Sequence, residues 1–384
     1  MSRKISVVVT ARPSYSRIKS ALRAIDNRAD LKLQLIVAAS ALLEKYGYVI
    51  NIIQNDGFNI DSRVYMVLEG ENLTTMAKTT GLGLLELATV FDNLKPDIVV
   101  TIADRYETLA TAIAAAYMNI PVAHVQGGEV TGSIDEKVRH AVTKLSDIHL
   151  VASKMAYERV IRMGENPEHV FITGCPSIDL ASEVQMNPYL TFDPFKKYGG
   201  VGGQFDVNSP FLVVMQHPVT SEYEESRKQI TETLEAINEL QIPTFWFWPN
   251  VDGGSDGISK GIRTFRELIK PAHIHFFKNM EPLDFLRLIK NSKCLIGNSS
   301  VGIRECSYLG VPVVNIGTRQ NGRDMGKNVI NTGYSRNEIK NAILKQMANG
   351  FYDSDQLYGD GHAGERIADI LATVDLSIDK RLTY

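Results

Sequence analysis

Gly297-Asn298-Ser299-Ser300-Val301-Gly302-Ile303-Arg304-Glu305, followed by Gly310-Val311-Pro312-Val313-Val314-Asn315-Ile316-Gly317-Thr318-Arg319-Gln320-Asn321-Gly322-Arg323, decides the fold of this chain. Lys293 to Ile296 is a run of strand length ending at Gly297, and Asn298, Ser299 and Ser300 are helix-capping residues. A helix starting there leaves backbone N–H groups facing outward, which suits a pyrophosphate. Glu305 is expected about a turn and a half into that helix, where its carboxylate accepts from ribose hydroxyls. Arg319 and Arg323 follow the next strand. An ordinary Ser-capped crossover has the same outline, but the acid and the basic loop add the features of a sugar-nucleotide site.

Outward from this stretch, short β-rich runs alternate with helical stretches, the pattern of a parallel sheet covered on both faces. In the first half the expected strands are Ile5 to Thr10, Leu33 to Ala39, Asp97 to Thr101, Val122 to Val125, His149 to Ala152 and Val170 to Thr173. Between them Ile134, Val138, Ala141 and Leu145 fall on one helical face. A second series runs through Phe211 to Met215, Thr244 to Phe247, His273 to Phe276, Cys294 to Ile296 and Val313 to Asn315. The fold class is therefore α/β, with two Rossmann-like doubly wound domains at 1–186 and 210–384. Asn-Pro, Asp-Pro and Gly-Gly-Val-Gly-Gly punctuation marks 187–209 as a linker, and the last helix is free to pack back on the first domain. Such sheets bind ligands at the carboxyl ends of their strands, so a ligand is expected in the cleft between the domains.

Composition excludes several classes. A length of 384 residues with 44% hydrophobic and 22% charged residues is that of an ordinary soluble globular protein. A net charge of −3 argues against nucleic acid as the main partner. The three cysteines, Cys175, Cys294 and Cys306, are too few and too scattered for a disulfide framework or a zinc motif, which fits a reducing cytoplasm. Ile5 to Val9 is far too short for a signal-peptide core or a membrane span. A dinucleotide cofactor is not expected, because Thr10-Ala11-Arg12-Pro13-Ser14-Tyr15-Ser16-Arg17, after the first strand, lacks the glycine fingerprint, and a P-loop is absent too.

The polar clusters lie where strands end. Arg12, Ser16 and Arg17 offer two guanidinium groups and a hydroxyl to an anion. Asp104 and Arg105 follow Ile98 to Ala103, and capping alone would explain Asp104. Within Gln126-Gly127-Gly128-Glu129-Val130-Thr131-Gly132-Ser133-Ile134-Asp135-Glu136, Ser133 and Glu136 form a capping box, whereas Glu129 has no structural task. Asp104, Glu129 and Asp135 are expected to gather three carboxylates around one spot, an arrangement suited to acid and base work. His217 ends the first strand of the second domain, and Asn250 and Asp252 lie past the end of the tryptophan-bearing strand.

Taken in order, Asp104-Arg105, Gly127-Gly128-Glu129, Ile134-Asp135-Glu136 with Arg139-His140, Gly174-Cys175-Pro176-Ser177, Gln216-His217-Pro218-Val219-Thr220, Pro249-Asn250, Gly297 to Glu305, Gly317-Thr318-Arg319-Gln320 and Tyr358-Gly359-Asp360-Gly361 carry a resemblance over nearly the whole length. The chain resembles the hydrolysing UDP-N-acetylglucosamine 2-epimerases, both the bacterial sialic-acid-pathway enzymes and the epimerase half of the animal bifunctional epimerase/kinase. The resemblance implies a glycosyltransferase-B-like fold, no cofactor, no metal, no membrane partner, a UDP-sugar substrate and a homodimer or homotetramer. It also implies UDP elimination to a 2-acetamidoglucal, followed by hydration to N-acetylmannosamine. Arg12, Ser16, Arg105, His217, Asn250, Ser299, Ser300, Glu305 and Arg319 match the family's nucleotide-binding positions, and Asp104 and Asp135 its acid/base positions.

Two departures follow. Gln126 stands where relatives commonly carry Glu or His, and an amide cannot abstract a proton, so Glu129 becomes the nearest ionisable substitute. No acidic residue lies near Ser14, where relatives usually have one, which suggests an altered sugar such as a 4-acetamido-4,6-dideoxy variant. The expected catalytic set is Asp104, Glu129, Asp135 and His217 with Gln126 beside them, and Arg17 and Asp252 complete the binding set. A non-hydrolysing epimerase, a glycosyltransferase of the same fold and a nucleotide-sugar sensor are the alternatives.

Overall fold

The computed structural model describes residues 2–69, 73–131, 134–249 and 255–383. The chain forms two compact units, one comprising the described residues up to Val130, Ile134–Asp179 and Tyr358 onward, the other Thr131 with Leu180–Leu357.

The first unit holds β1 (Arg3–Val9), β2 (Leu31–Ala38), β3 (Ser62–Val64), β4 (Ile98–Ile102), β5 (Val122–Val125), β6 (Ile148–Val151) and β7 (Val170–Ile172). They pair in parallel in the order β3-β2-β1-β4-β5-β6-β7. Both faces of this sheet are covered, so its strands read as nearly continuous apolar runs. Along β1, Ile5, Val7 and Val9 pack with Leu22, Ile25 and Leu371, while Val8 faces the other way toward Leu87 and Phe91. The helix Ala363–Thr373 is tied into this unit by Asp179, whose carboxylate accepts from the Ala363 and Gly364 N–H groups at 2.9 and 2.7 Å and from the Ser20 hydroxyl at 2.7 Å.

The second unit holds β8 (Val201–Gly202), β9 (Leu212–Met215), β10 (Thr244–Phe247), β11 (Ile274–Phe277), β12 (Cys294–Gly297), β13 (Val313–Ile316) and β14 (Val329–Thr332), in the order β14-β13-β12-β9-β10-β11-β8. All pair in parallel except β8, which runs antiparallel to β11. Residues 187–209, read from sequence as a linker, therefore carry the edge strand of this sheet and a short helix, Pro194–Tyr198. Phe195 and Phe205 anchor that segment by packing against Phe245.

The strand order reverses between β1 and β4 in the first sheet and, among the parallel strands of the second, between β9 and β12. In open sheets of this kind ligands bind outside the carboxyl ends of the strands at such switch points. Among the described residues, no helix is long and apolar enough to cross a membrane.

Candidate active site

At the first switch point β1 runs into Thr10 and Ala11 and then a five-residue helix, Arg12–Ser16. Its Ser16 hydroxyl donates to the Arg12 carbonyl at 3.3 Å, and Arg17, just beyond, lies 3.8 Å from Asp104 Oδ1. Asp104 is buried after β4, following Ala103, a non-glycine residue at φ +60°. His124 on β5 steadies that turn. Its Nε2 lies 2.8 Å from the Ala103 carbonyl and its Nδ1 lies 3.1 Å from Thr143 Oγ1. Complete burial lowers the pKa of His124 to about 4, so the ring is neutral near pH 7.

The guanidinium of Arg139, fully buried on the helix Ile134–Leu145, bonds the Asp104 carboxylate and donates to the Glu129 carbonyl at 2.7 Å. A guanidinium thus joins Asp104 to the Glu129 loop. A buried carboxylate needs such a counter-charge. The helix is also rotated from its apolar reading: Val138, Arg139, Val142 and Thr143 are buried, whereas Ile134 is 46% exposed. Asp135 is half-buried in its first turn. Glu129 is buried, and Gly128 before it adopts φ +74°, where a Cβ would come within 2.3 Å of the Ala156 carbonyl oxygen. Gln126 is buried too, at φ +67°, with its amide N 2.9 Å from Cys175 Sγ. Arg105, expected at the nucleotide, forks onto buried Glu107 at 3.1 and 3.2 Å.

At the second switch point Gly297 adopts φ +133°, and a Cβ there would meet the Met215 carbonyl oxygen at 2.0 Å. The bare backbone brings the next residue against β9. Asn298 then clamps His217 from both sides, its Oδ1 accepting from the His217 N–H at 2.7 Å and its Nδ2 donating to the His217 carbonyl at 2.8 Å. Asn298 is thus a clamp; the helix cap is Ser299, whose Oγ accepts from the Val301 N–H at 3.4 Å. The Asn298 carbonyl in turn accepts from Arg319 at 3.2 Å and from Gln320 at 2.8 Å. One residue therefore holds the ends of β9, β12 and β13 in register.

The helix itself departs from expectation. It spans only Ser300–Ile303, breaks at Arg304 with ψ −74°, and restarts as Glu305–Leu309. Glu305 consequently sits in the first turn of a second short helix, buried beside Cys306. A single turn carries little of the dipole of a long helix. Ser299, Ser300 and Arg319 are half-buried, and His217 is buried. Glu222 accepts from the Thr318 hydroxyl, from Tyr334 at 2.7 Å and from Gln229 at 2.8 Å, linking the loop after His217 to the loop bearing Arg319. Burial and the Glu222 charge push the Tyr334 hydroxyl up to about 12. Asn250, Asp252 and the Ser133 cap lie outside the described residues.

Sequence reasoning missed the tasks of Arg139, Asn298 and His124. The available signal for Arg139 was a basic residue interrupting an otherwise buried helical face. Among the described residues, no group of three or more His, Cys, Asp or Glu side chains is arranged to hold a metal ion.

Two doubly wound sheets with polar clusters at their switch points define a Rossmann-like α/β protein. A family model described as UDP-N-acetylglucosamine 2-epimerase matches residues 23–372. The chain is 33% identical over 377 residues to the UDP-N,N'-diacetylbacillosamine 2-epimerase (hydrolyzing) of Legionella pneumophila, covering 98% of this chain and 97% of the relative. It is 30% identical over 387 residues to the UDP-N-acetylglucosamine 2-epimerase of Neisseria meningitidis, covering 99% and 98%. The crystal structure of UDP-GlcNAc 2-epimerase from Neisseria meningitidis bound to UDP-GlcNAc matches with a TM-score of 0.78 at 18% identity, covering 96% of this chain and 99% of that one. The fold is glycosyltransferase-B-like. The chain belongs to the UDP-N-acetylglucosamine 2-epimerase family, which includes hydrolysing members.

Proposed function

We propose that the protein is a hydrolysing 2-epimerase of a UDP-2-acetamido sugar, releasing UDP and the free 2-epimer, such as N-acetylmannosamine for sialic-acid-type biosynthesis. The observation carrying this reading is the buried Arg139 bridge between Asp104 and the Glu129 loop, beside Arg17 at the first switch point. Similarity over nearly the full chain to a relative named as hydrolysing supports it.

The reaction breaks C1–O, the electron pair leaving with UDP, while a base removes the proton from C2 to give a 2-acetamidoglucal. Water then adds across the double bond, hydroxyl to C1 and a proton to the other face of C2, so the balance is UDP-sugar plus water to UDP plus epimer. Proton removal and return on opposite faces need separate groups, and Asp104, Glu129 and Asp135 are assigned to that work. Oxocarbenium character at C1 is stabilised by nearby carboxylates, as in glycosidases. His217, Ser299, Ser300 and Arg319 are assigned to the departing diphosphate, and Glu305 to the ribose. The enzyme is assigned to the cytoplasm, whose reducing conditions suit its three buried cysteines.

Incubation with UDP-N-acetylglucosamine and, separately, with UDP-N,N'-diacetylbacillosamine tests the reading. Free UDP and a free 2-epimerised sugar in equal amounts are expected from at least one substrate. Epimer still attached to UDP would contradict hydrolysis, and UDP release only on addition of an acceptor would indicate a glycosyltransferase.

A further inference from the structure

We propose that Gln126 determines specificity for the acetamido group of the sugar, its carbonyl accepting the acetamido N–H while Cys175 and Ser177 fix the orientation of the amide. This rests on the UDP-2-acetamido sugar reading above. Gln126 directly follows β5, only three residues before Glu129, and is 1% exposed. Its φ of +67° is a region that non-glycine residues occupy at a cost, and such strain persists where the surroundings over-determine it. The amide N donates to Cys175 Sγ at 2.9 Å, and that sulfur lies 3.0 Å from Ser177 Oγ. Cys175 is held in turn by its own N–H, which donates to the Tyr358 carbonyl at 2.7 Å.

With its N–H edge turned to sulfur, the amide has one oxygen left, and Gln126 Oε1 is buried without a hydrogen-bond partner. A buried carbonyl left in that state costs about 1–3 kcal/mol, which a donor on a ligand recovers. An amide neither gives nor takes a proton near pH 7, so its contribution here is recognition, separate from the acid/base work assigned to Glu129. A neutral N–H is the fitting donor, because a charged one would bury an unpaired charge against an amide. The acetamido N–H, bonded to the carbon at which the reaction occurs, is the donor such a sugar brings.

The test uses the full chain and whichever of the two UDP-acetamido sugars it turns over. Gln126→Leu keeps the bulk but removes the acceptor, and kcat/KM is expected to fall about tenfold to a hundredfold, while the dissociation constant of UDP alone stays within about twofold. Gln126→Glu keeps an acceptor oxygen and is expected to retain more activity than Gln126→Leu. Cys175→Ala loosens the amide and is expected to lower kcat/KM about threefold to tenfold, with Cys175→Ser, which still accepts, recovering most of it. Gln126→Leu with unchanged kcat/KM, or with UDP affinity falling in parallel, would overturn the proposal while leaving the epimerase reading standing. Turnover of neither sugar by the unaltered protein would overturn both.

Discussion

The two switch points share a topology and differ in material. Around β1 and β4 the first is charged: Asp104 lies between Arg17 and Arg139, and buried Glu129 follows within the same loop system. Around β9 and β12 the second is held together chiefly by amide and backbone hydrogen bonds, with Asn298 clamping His217 and its carbonyl receiving the Arg319 guanidinium and the Gln320 amide. Charges locked in a buried frame suit moving protons at a fixed place. A frame held by amide and backbone hydrogen bonds suits presenting donors to a ligand that brings its own charge. The difference teaches that one fold supplies two positions whose side chains suit different work, and on our proposal the first does the chemistry and the second holds the nucleotide.

Substitutions can break that comparison. Asp104→Asn is expected to lower kcat by about 10² to 10⁴ while UDP affinity, measured by calorimetry, stays within about twofold. Glu129→Gln should likewise reduce turnover much more than Gln126→Ala, and equal losses in steady-state assays would remove Glu129 from the acid/base set. Arg139→Met removes the nearer of the two guanidinium groups on buried Asp104 and leaves Arg17 at 3.8 Å, so urea unfolding is expected to show a loss of up to about 3–5 kcal/mol.

A pH series sharpens the contrast, because the anchor of the first site titrates and that of the second does not. His124 has a pKa of about 4 in the folded chain against 6.5 for the free ring, so the unfolded chain binds more protons between those values. Its contribution to stability is full above pH 6.5 and is lost as pH falls toward 4, by about 3 kcal/mol. Unfolding curves of His124→Gln should show a shallower pH slope in that window, and turnover should fail on acidification before UDP binding does. The smallest effect is expected from Asn298→Ala, about 1–3 kcal/mol in stability with weaker UDP binding, because the His217 backbone loses two neutral hydrogen bonds.

The central strands of both sheets were legible because burial on two faces demands apolar runs, and β5 and β10 fall on the residues expected. Of the edge strands only β7 was, over Val170 to Thr173. Ser62-Arg63-Val64 in β3, Val201-Gly202 in β8 and Val329-Ile330-Asn331-Thr332 in β14 are short and carry no long apolar run, since an edge has only one neighbour to satisfy. Asp104, Glu129, His217 and Arg319 could be found as polar residues at strand ends. What sequence could not supply was partnership: Arg139 reaches Asp104 across 35 positions, and Asn298 reaches His217 across 81. The break at Arg304 was hidden too, because neither proline nor a charge run marks it, and the burial of Arg304 shows only in the folded chain.

Turnover of a UDP-2-acetamido sugar in heavy water, followed by proton NMR, tests the central claim most directly. Elimination and hydration at the first switch point predict free UDP and a free 2-epimer carrying one deuterium at C2, with Asp104→Asn abolishing both signals while still binding UDP. UDP release with the C2 proton retained, or a deuterated epimer still attached to UDP, would contradict the account.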